Sequence, residues 1–277
     1  MVAVPAAKAQ KPERIVVAGG DLTEIVFALG HGDRLIGVDS TSGYPETAKD
    51  LAQIGYVRRI SAEGILSLSP DLMLVADDAG PVDTLSALSS AGIRIEIAPT
   101  TTSVDDIPDK IRFVATALSD PDAGEALATT FIQDLAAART MVGDLSDRPR
   151  VLFILSTSGG APLVGGPGST ADLLIREAGA QNAASGFEGY KPMNREAIIA
   201  AAPDVILMTQ AHSDRLGGLD DVLDRPDIAL TPAGRARRGV TLDALTLLGM
   251  GPRTPTAIRQ LATRIRMSTP DIGEPDG

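Results

Sequence analysis

From Arg14 onward short apolar runs alternate with amphipathic segments. Ile15-Val16-Val17 reads as a buried strand, Gly19-Gly20 as a turn, and Asp21 to Glu24 as a box-like cap opening a helix to Leu29. Gly30 ends that helix, and Leu35-Ile36-Gly37-Val38 is the next strand. Ser61 caps a short helix through Leu68, Pro70-Asp71 turns the chain, and Leu72-Met73-Leu74-Val75 is a third strand. A helix from Val82 to Ser90 and a strand from Ile93 to Ile97 complete the series. Such alternation predicts a mostly parallel sheet covered by helices.

The pattern then changes. Asp105 to Leu118 is helical, Ser119-Asp120-Pro121 interrupts, and Ala123 to Val142 is a long Ala-rich helix, with no strand-like run in between. Such a helix between two alternating segments reads as a rigid connector lying across two lobes. Val151 to Leu155 begins the second lobe, followed by a Gly-rich loop through Ser169-Thr170 and a helix from Ala171 to Ala178. A helix from Arg195 to Ala201, a strand from Val205 to Met208 and an edge strand at Gly239 to Leu242 come next. Thr254 as N-cap and Pro255 behind it open a last helix to about Met267. The expected division is a lobe over 13–118, a connector over 119–148, a second lobe over 149–268 and a loose tail over 269–277.

One unit occurs twice. Gly55-Tyr56-Val57-Arg58-Arg59-Ile60-Ser61-Ala62-Glu63-Gly64 precedes Pro70-Asp71 and an apolar run. Gly189-Tyr190-Lys191-Pro192-Met193-Asn194-Arg195-Glu196 precedes Pro203-Asp204 and another. In both copies Glu and Pro stand seven residues apart, with an N-cap candidate (Ser61, Asn194) two residues before the Glu. A duplicated loop-helix-strand unit implies two similar lobes with a ligand cleft between them, the shape of a binding protein.

Composition narrows the chemistry. In 277 residues, 44% are apolar, which excludes wholesale disorder, and no apolar run reaches the roughly 20 residues that span a bilayer. The expectation is a soluble protein with no direct membrane insertion. There is no Cys, so disulfides, thiolate metal sites, cysteine nucleophiles and an anchored amino-terminal Cys are excluded for this sequence. Met1 to Pro12, with Ala6-Ala7-Lys8-Ala9 and no hydrophobic core region, suits either the remnant of a removed signal peptide or a frayed terminus. A net charge of −11 argues against nucleic acid and anionic membranes as partners. Within that acidic background Arg58-Arg59 and Arg235, Arg237, Arg238 form two basic knots, which could hold ligand carboxylates or be plain solvated surface.

Several candidate sites each carry two readings. Gly165-Gly166-Pro167-Gly168-Ser169-Thr170 could cradle an anion at a helix start, but it lacks the Lys of a P-loop and suits a tight turn better. Two His, His31 and His212, cannot build a multi-histidine cage. His31 sits past a helix end, where an exposed imidazole is ordinary. His212 falls in a loop after a strand's carboxyl end, where ligands of open sheets bind, or is simply solvated there. Asp77-Asp78 is either an acid pair or a solvated loop, and no nucleophile elbow is present. Tyr56 lies in a loop before a helix start with Arg58 two residues on. A phenol with an ordinary pKa of about 10 is neutral, yet iron(III) and a guanidinium both favour the phenolate, and Tyr is an axial ligand of ferric haem. An ordinary loop tyrosine is the competing account. Glu63 and Glu196 each sit in a first helical turn, where the dipole favours a carboxylate. Their equivalent placement also suggests matched acidic knobs facing a two-fold partner.

The stretch from Gly55 through Leu68 resembles the signature of periplasmic haem-binding proteins of bacterial ABC-type haem importers. Gly249-Met250-Gly251-Pro252-Arg253-Thr254-Pro255, Gly217-Gly218-Leu219 and Tyr190-Lys191-Pro192-Met193 support it, so the resemblance spans about Arg14 to Met267. The general organisation is shared with cobalamin and siderophore receptors. The resemblance implies an α/β fold of two Rossmann-like lobes, with mostly parallel sheets, joined by one long connector helix, and haem in the cleft. It implies that Tyr56 binds the haem iron, that Arg58 hydrogen-bonds the phenolate, and that Glu63 and Glu196 dock onto basic pockets of an ABC transporter permease dimer. Arg59, Arg235 and Arg237 are the candidates for the haem propionates. Some relatives add an axial His in the loop after the second lobe's first strand; here it reads Ser156-Thr157-Ser158-Gly159-Gly160. Iron is then five-coordinate on Tyr56, or His212 swings in, or a second haem stacks. The expectation is a monomeric periplasmic haem receptor and not an enzyme; a receptor for another metal chelate (siderophore or cobalamin) and a Rossmann-like enzyme using residues 165–170 are the alternatives.

Overall fold

The computed structural model describes residues 11–143, 148–157 and 160–267. The loose tail expected over 269–277, most of the Ala-rich start, the end of the expected connector segment and Ser158-Gly159 therefore lie outside the described residues. The chain divides into two compact units between Ile132 and Gln133, within one helix.

The first unit is built on β1 (Ile15–Ala18), β2 (Leu35–Val38), β3 (Ala52–Gln53), β4 (Gly55–Tyr56), β5 (Arg59–Ile60), β6 (Leu72–Val75) and β7 (Arg94–Ile97). Five of these form an all-parallel sheet in the order β3-β2-β1-β6-β7, while β4 and β5 make a separate hairpin. Every residue of the central strands β1 and β6 is buried, which explains their uninterrupted apolar sequence. At the edge, β7 interleaves Arg94 and Glu96, paired at 2.9 Å, with isoleucines. The helices are α1 (Gly20–Ala28), α2 (Ala62–Leu68), α3 (Val82–Ser90) and α4 (Ile107–Ala117), followed by the 22-residue α5 (Pro121–Val142) in which the units divide. Gly124 lets α5 approach α4, since a Cβ there would stand 2.3 Å from that of Ala115.

The box-like cap expected at Asp21 to Glu24 does not form. The helix starts one residue earlier behind Gly19, Glu24 is buried, and Asp21 instead pairs with buried Lys110 of α4 at 2.6 Å. The N–H groups of Gly19 and Gly20 are taken by the Asp39 carboxylate (2.9 Å) and the Thr41 hydroxyl (3.0 Å) from the turn after β2. Tertiary partners displace the local cap.

The second unit runs β8 (Arg150–Ser156), β9 (Leu163–Gly165), α6 (Thr170–Glu177), β10 (Gln181–Asn182), β11 (Tyr190–Pro192), α7 (Arg195–Ala201), β12 (Val205–Thr209), α8 (Gln210–Arg215), α9 (Leu219–Leu223), α10 (Pro232–Arg235), β13 (Gly239–Leu242), α11 (Ala244–Leu248) and α12 (Thr254–Met267). Its sheet has the order β11-β9-β8-β12-β13, with β10 also on β8. The expectation of mostly parallel sheets holds here with one exception. β8, β10, β12 and β13 are parallel, but β9 runs antiparallel to both β8 and β11. The six residues between β8 and β9 are too few for a parallel crossover, which needs about a dozen. A further correction is that α12 already includes Thr254, so the cap lies one residue earlier. Arg266 of α12 donates to the carbonyls of Met141 (3.4 Å) and Val142, closing the carboxyl end of α5.

The duplicated unit is present in three dimensions. α2 and α7 each have seven residues, are capped by Ser61 (from Gly64 N–H, 3.1 Å) and Asn194 (from Ala197 N–H, 2.9 Å), and end on left-handed residues Ser69 (φ 49°) and Ala202 (φ 44°). Pro-Asp and a fully buried strand follow in both. An arginine at the start of each unit clamps the helix end. Arg14 donates to the carbonyls of Ser69 (3.1 Å) and Leu68 (2.5 Å), and Arg150 to that of Ala201 (2.9 Å). Asp71 and Asp204 accept the backbone N–H of those same arginines, at 3.2 and 2.8 Å. Neither clamp is visible in the sequence, because its partners lie more than fifty residues apart.

Candidate functional site

Tyr56 is not in an irregular loop, as its neighbours suggested, but ends the first strand of a tight hairpin. Gly55 pairs with Ile60 and Tyr56 with Arg59, leaving Val57-Arg58 as the tip. Only glycine permits this at position 55: its φ is 106°, and a Cβ would lie 2.6 Å from the Arg59 carbonyl oxygen. Val57 and Ile60 point into the apolar cluster that also seats α2 through Ile65, whereas Tyr56 is 47% exposed. Burial of Val57 and Ile60 thus fixes the hairpin and leaves the phenol outward.

The hairpin is stapled to the loop after β6. Gly80 N–H donates to the Val57 carbonyl and Ile60 N–H to the Gly80 carbonyl, both at 3.0 Å. On the same loop Asp78 accepts from Arg58 through Nε (2.9 Å) and Nη2 (2.5 Å). Asp77-Asp78 is therefore no paired acid site; Asp78 is the counter-ion of Arg58, a link the sequence left unread. Hairpin and loop follow the carboxyl ends of β3 and β6, the edge at which ligands of open parallel sheets bind. From that edge an open cavity of about 510 Å³ runs along α3, lined chiefly by Ala76, Val82, Leu85, Ile95 and Ile97, with Val82 and Ile97 largely exposed. Arg59 is exposed beside Tyr56.

The remaining basic and imidazole candidates belong to the second unit. His212 is neither in a loop nor solvated: β12 passes directly into α8, Thr209 caps that helix by accepting His212 N–H (3.3 Å), and the side chain is buried. Its Nε2 meets Thr157 Oγ1 and its Nδ1 meets Arg215 Nη2, both at 3.4 Å. Burial first, then the positive charges of Arg215 and Arg225, hold its pKa below the ordinary 6.5. Arg235 is exposed at the end of α10. Arg237 donates to Asp220 (2.6 Å) and to Asp224, and these bonds raise its pKa, Asp220 contributing most.

The Gly-rich run is a tight turn. A Cβ at Gly166 would stand 2.5 Å from the Phe187 ring, and Ser169 caps α6. The α6 start already holds a buried carboxylate of the protein, Asp172, which accepts from Asn182 (3.1 Å) and Gly168 N–H (3.4 Å). Asp39 plays the same part at α1. At both of these glycine-led helix starts a backbone N–H that could meet a phosphate is thus taken by one of the chain's own acids. Nor is His31 exposed as expected: it is buried, with Arg34 Nη2 donating to Nδ1 (2.6 Å) and Nε2 against Asp120 (2.9 Å). Because a guanidinium only donates, Nδ1 accepts and Nε2 carries the proton. That hydrogen bond is the main cause of the lowered Asp120 pKa.

Glu63 and Glu196 occupy the same second position of α2 and α7, and both are exposed. Among the described residues no group of three or more His, Asp or Glu could hold a metal ion, and no helix is long and apolar enough to cross a membrane.

Comparison with solved structures aligns the chain with the periplasmic heme-binding protein RhuT from Roseiflexus sp. RS-1 in apo form, at 44% identity and a TM-score of 0.89, covering 92% of this chain and 98% of that one. The periplasmic heme-binding protein BhuT in complex with two hemes aligns at 44% identity and a TM-score of 0.88, with the same coverage. Among sequences, a vitamin B12-binding protein of Pectobacterium carotovorum is 29% identical over 262 residues, 94% of this chain and 90% of that protein. A family model described as periplasmic binding protein matches residues 15–245, from the first strand of the first unit to the start of α11 in the second. With that match reaching across most of both units, this chain belongs to the periplasmic binding protein family.

Proposed function

We propose that this protein is a periplasmic receptor that binds haem and presents it, chemically unchanged, to an ABC-type importer of the inner membrane. The observation that carries the reading is Tyr56: a large phenol held outward on a tight hairpin at the ligand edge of its sheet, with Arg58, two residues on, anchored by Asp78. No protein cage for a bare metal ion exists among the described residues, so iron reaching this phenol brings most of its ligands with it. A ferric porphyrin fits, because its iron takes a phenolate as axial ligand and its rim is apolar. The 44% identity to the haem-binding RhuT and BhuT, against 29% to the vitamin B12-binding protein, points the same way. Carboxylates already take a backbone N–H at both glycine-led helix starts, which weighs against the enzyme alternative.

Within this reading Tyr56 ligates iron and Arg58 stabilises the phenolate by charge and hydrogen bonding. The two propionates need cations in an acidic protein. Arg59 and Arg235 suit that role better than Arg237, which would have to leave Asp220 and Asp224. His212 as a second axial ligand would have to leave a buried position, so five-coordinate iron on Tyr56 asks least of the structure. Glu63 and Glu196 are the docking carboxylates for the permease dimer, to which the protein comes as a monomer.

Titrating the purified chain with ferric haem, and separately with cyanocobalamin and with nucleotides, tests the assignment. Saturable Soret changes with haem alone are expected. Saturation by cobalamin without a haem response would replace the reading with its nearest alternative.

A further inference from the structure

One turn beyond Glu63 and Glu196, on the same helix face, α2 and α7 each carry an apolar residue, Leu66 and Ile199. Neither belongs to the apolar cluster that seats its helix. α2 packs through Ala62, Ile65 and Leu68, and α7 through Ala197, Ile198 and Ala201. Leu66 is 46% exposed and Ile199 half-buried. A single exposed leucine is ordinary. An apolar side chain at the same offset from the same carboxylate, on two helices clamped alike by Arg14 and Arg150, is a duplicated feature outside the apolar clusters that seat α2 and α7.

We infer that Leu66 and Ile199 complete two docking faces, each pairing a carboxylate with an apolar side chain one turn away, and that the partner offers twice a cation bordered by apolar surface. The inference rests on the docking role proposed above for Glu63 and Glu196. Its occupant is the two-fold pair of membrane subunits. Two equivalent faces on one chain need two equivalent pockets, which a symmetric pair supplies. A second copy of this chain would bring the same carboxylates and another −11 charge against them. The two halves of each face also act differently. A carboxylate steers and is screened by salt, whereas burial of a leucine is nearly indifferent to it.

That difference provides the test. Haem-loaded full-length protein is bound to the purified importer in lipid nanodiscs at low and high ionic strength, with each variant's haem titration and melting curve as controls of fold. Leu66→Ser is expected to weaken docking about tenfold at both ionic strengths, Leu66→Met to stay near the parent, and Ile199→Ala to reproduce the loss from the other unit. Glu63→Gln is expected to lose most at low salt. Parent-like docking by both Leu66→Ser and Ile199→Ala, beside an impaired Glu63→Gln, overturns the apolar half alone. Unimpaired docking by all three overturns the glutamate reading as well. If Leu66→Ser loses its fold, Ile199→Ala and Leu66→Met decide.

Discussion

Arg58 is the residue at which the ligand chemistry is most exposed to test. Its ion pair with Asp78 has both side chains more than one-third exposed, so it contributes little to folding, on the order of 0–1 kcal/mol. What it does is hold the guanidinium at the hairpin tip, two residues from Tyr56. Arg58→Ala should therefore melt like the parent yet bind haem less tightly, and most weakly at lower pH, where protons compete with iron for the phenolate oxygen. A loss equal at all pH values in haem titrations would assign Arg58 to a propionate instead. Asp78→Asn should show the same pH trend in milder form. His212 yields a separate expectation. Thr157, Arg215 and Arg225 face it, and its folded pKa lies below 6.5, so in the window below pH 6.5 the unfolded chain binds a proton the folded one refuses. Stability should fall as pH drops through that window, and His212→Gln should flatten the dependence in denaturant titrations. Tyr56 and Arg58 could be read as a candidate pair because they stand two apart in one segment. Asp78, the Arg34–His31–Asp120 chain and the burial of His212 were not, since each depends on a partner brought by folding.

Among the elements, the strands with uninterrupted apolar runs and the helices with a clear cap were readable directly. α3, α7 and β13 start and end where the sequence placed them. The failures are of two kinds. β9, β10 and β11 are two or three residues long, too short for periodicity to register, and β9 reverses the sheet direction. α8 follows β12 with no intervening turn signal, so its residues looked like a loop. The duplicated helix unit was the most informative element because capping, the Pro-Asp turn and the following strand all agree in both copies. Its function is testable apart from the ligand. Glu63→Ala/Glu196→Ala should bind haem normally and fail to deliver it to a reconstituted importer, since losing one partner of a desolvated carboxylate–arginine contact costs about 2–5 kcal/mol. Normal transport by the double variant would reduce both glutamates to helix-start residues.

At the scale of the molecule, α/β alternation interrupted by one long helix was enough to expect two units, and two units divide within α5. The sheet of the first is parallel throughout and that of the second mixed, which composition alone does not distinguish. Family membership follows from the match across both units, while the proposed ligand rests on a single hairpin. Haem binding through that hairpin is therefore best examined at the iron. The measurement is the visible absorption spectrum and affinity of the ferric haem complex, in the parent chain and in Tyr56→Phe. The parent should show the charge-transfer band of a tyrosinate-ligated ferric haem, and the variant should keep its fold, lose that band and bind haem far more weakly. An unchanged spectrum and affinity in Tyr56→Phe would rule out Tyr56 as the iron ligand.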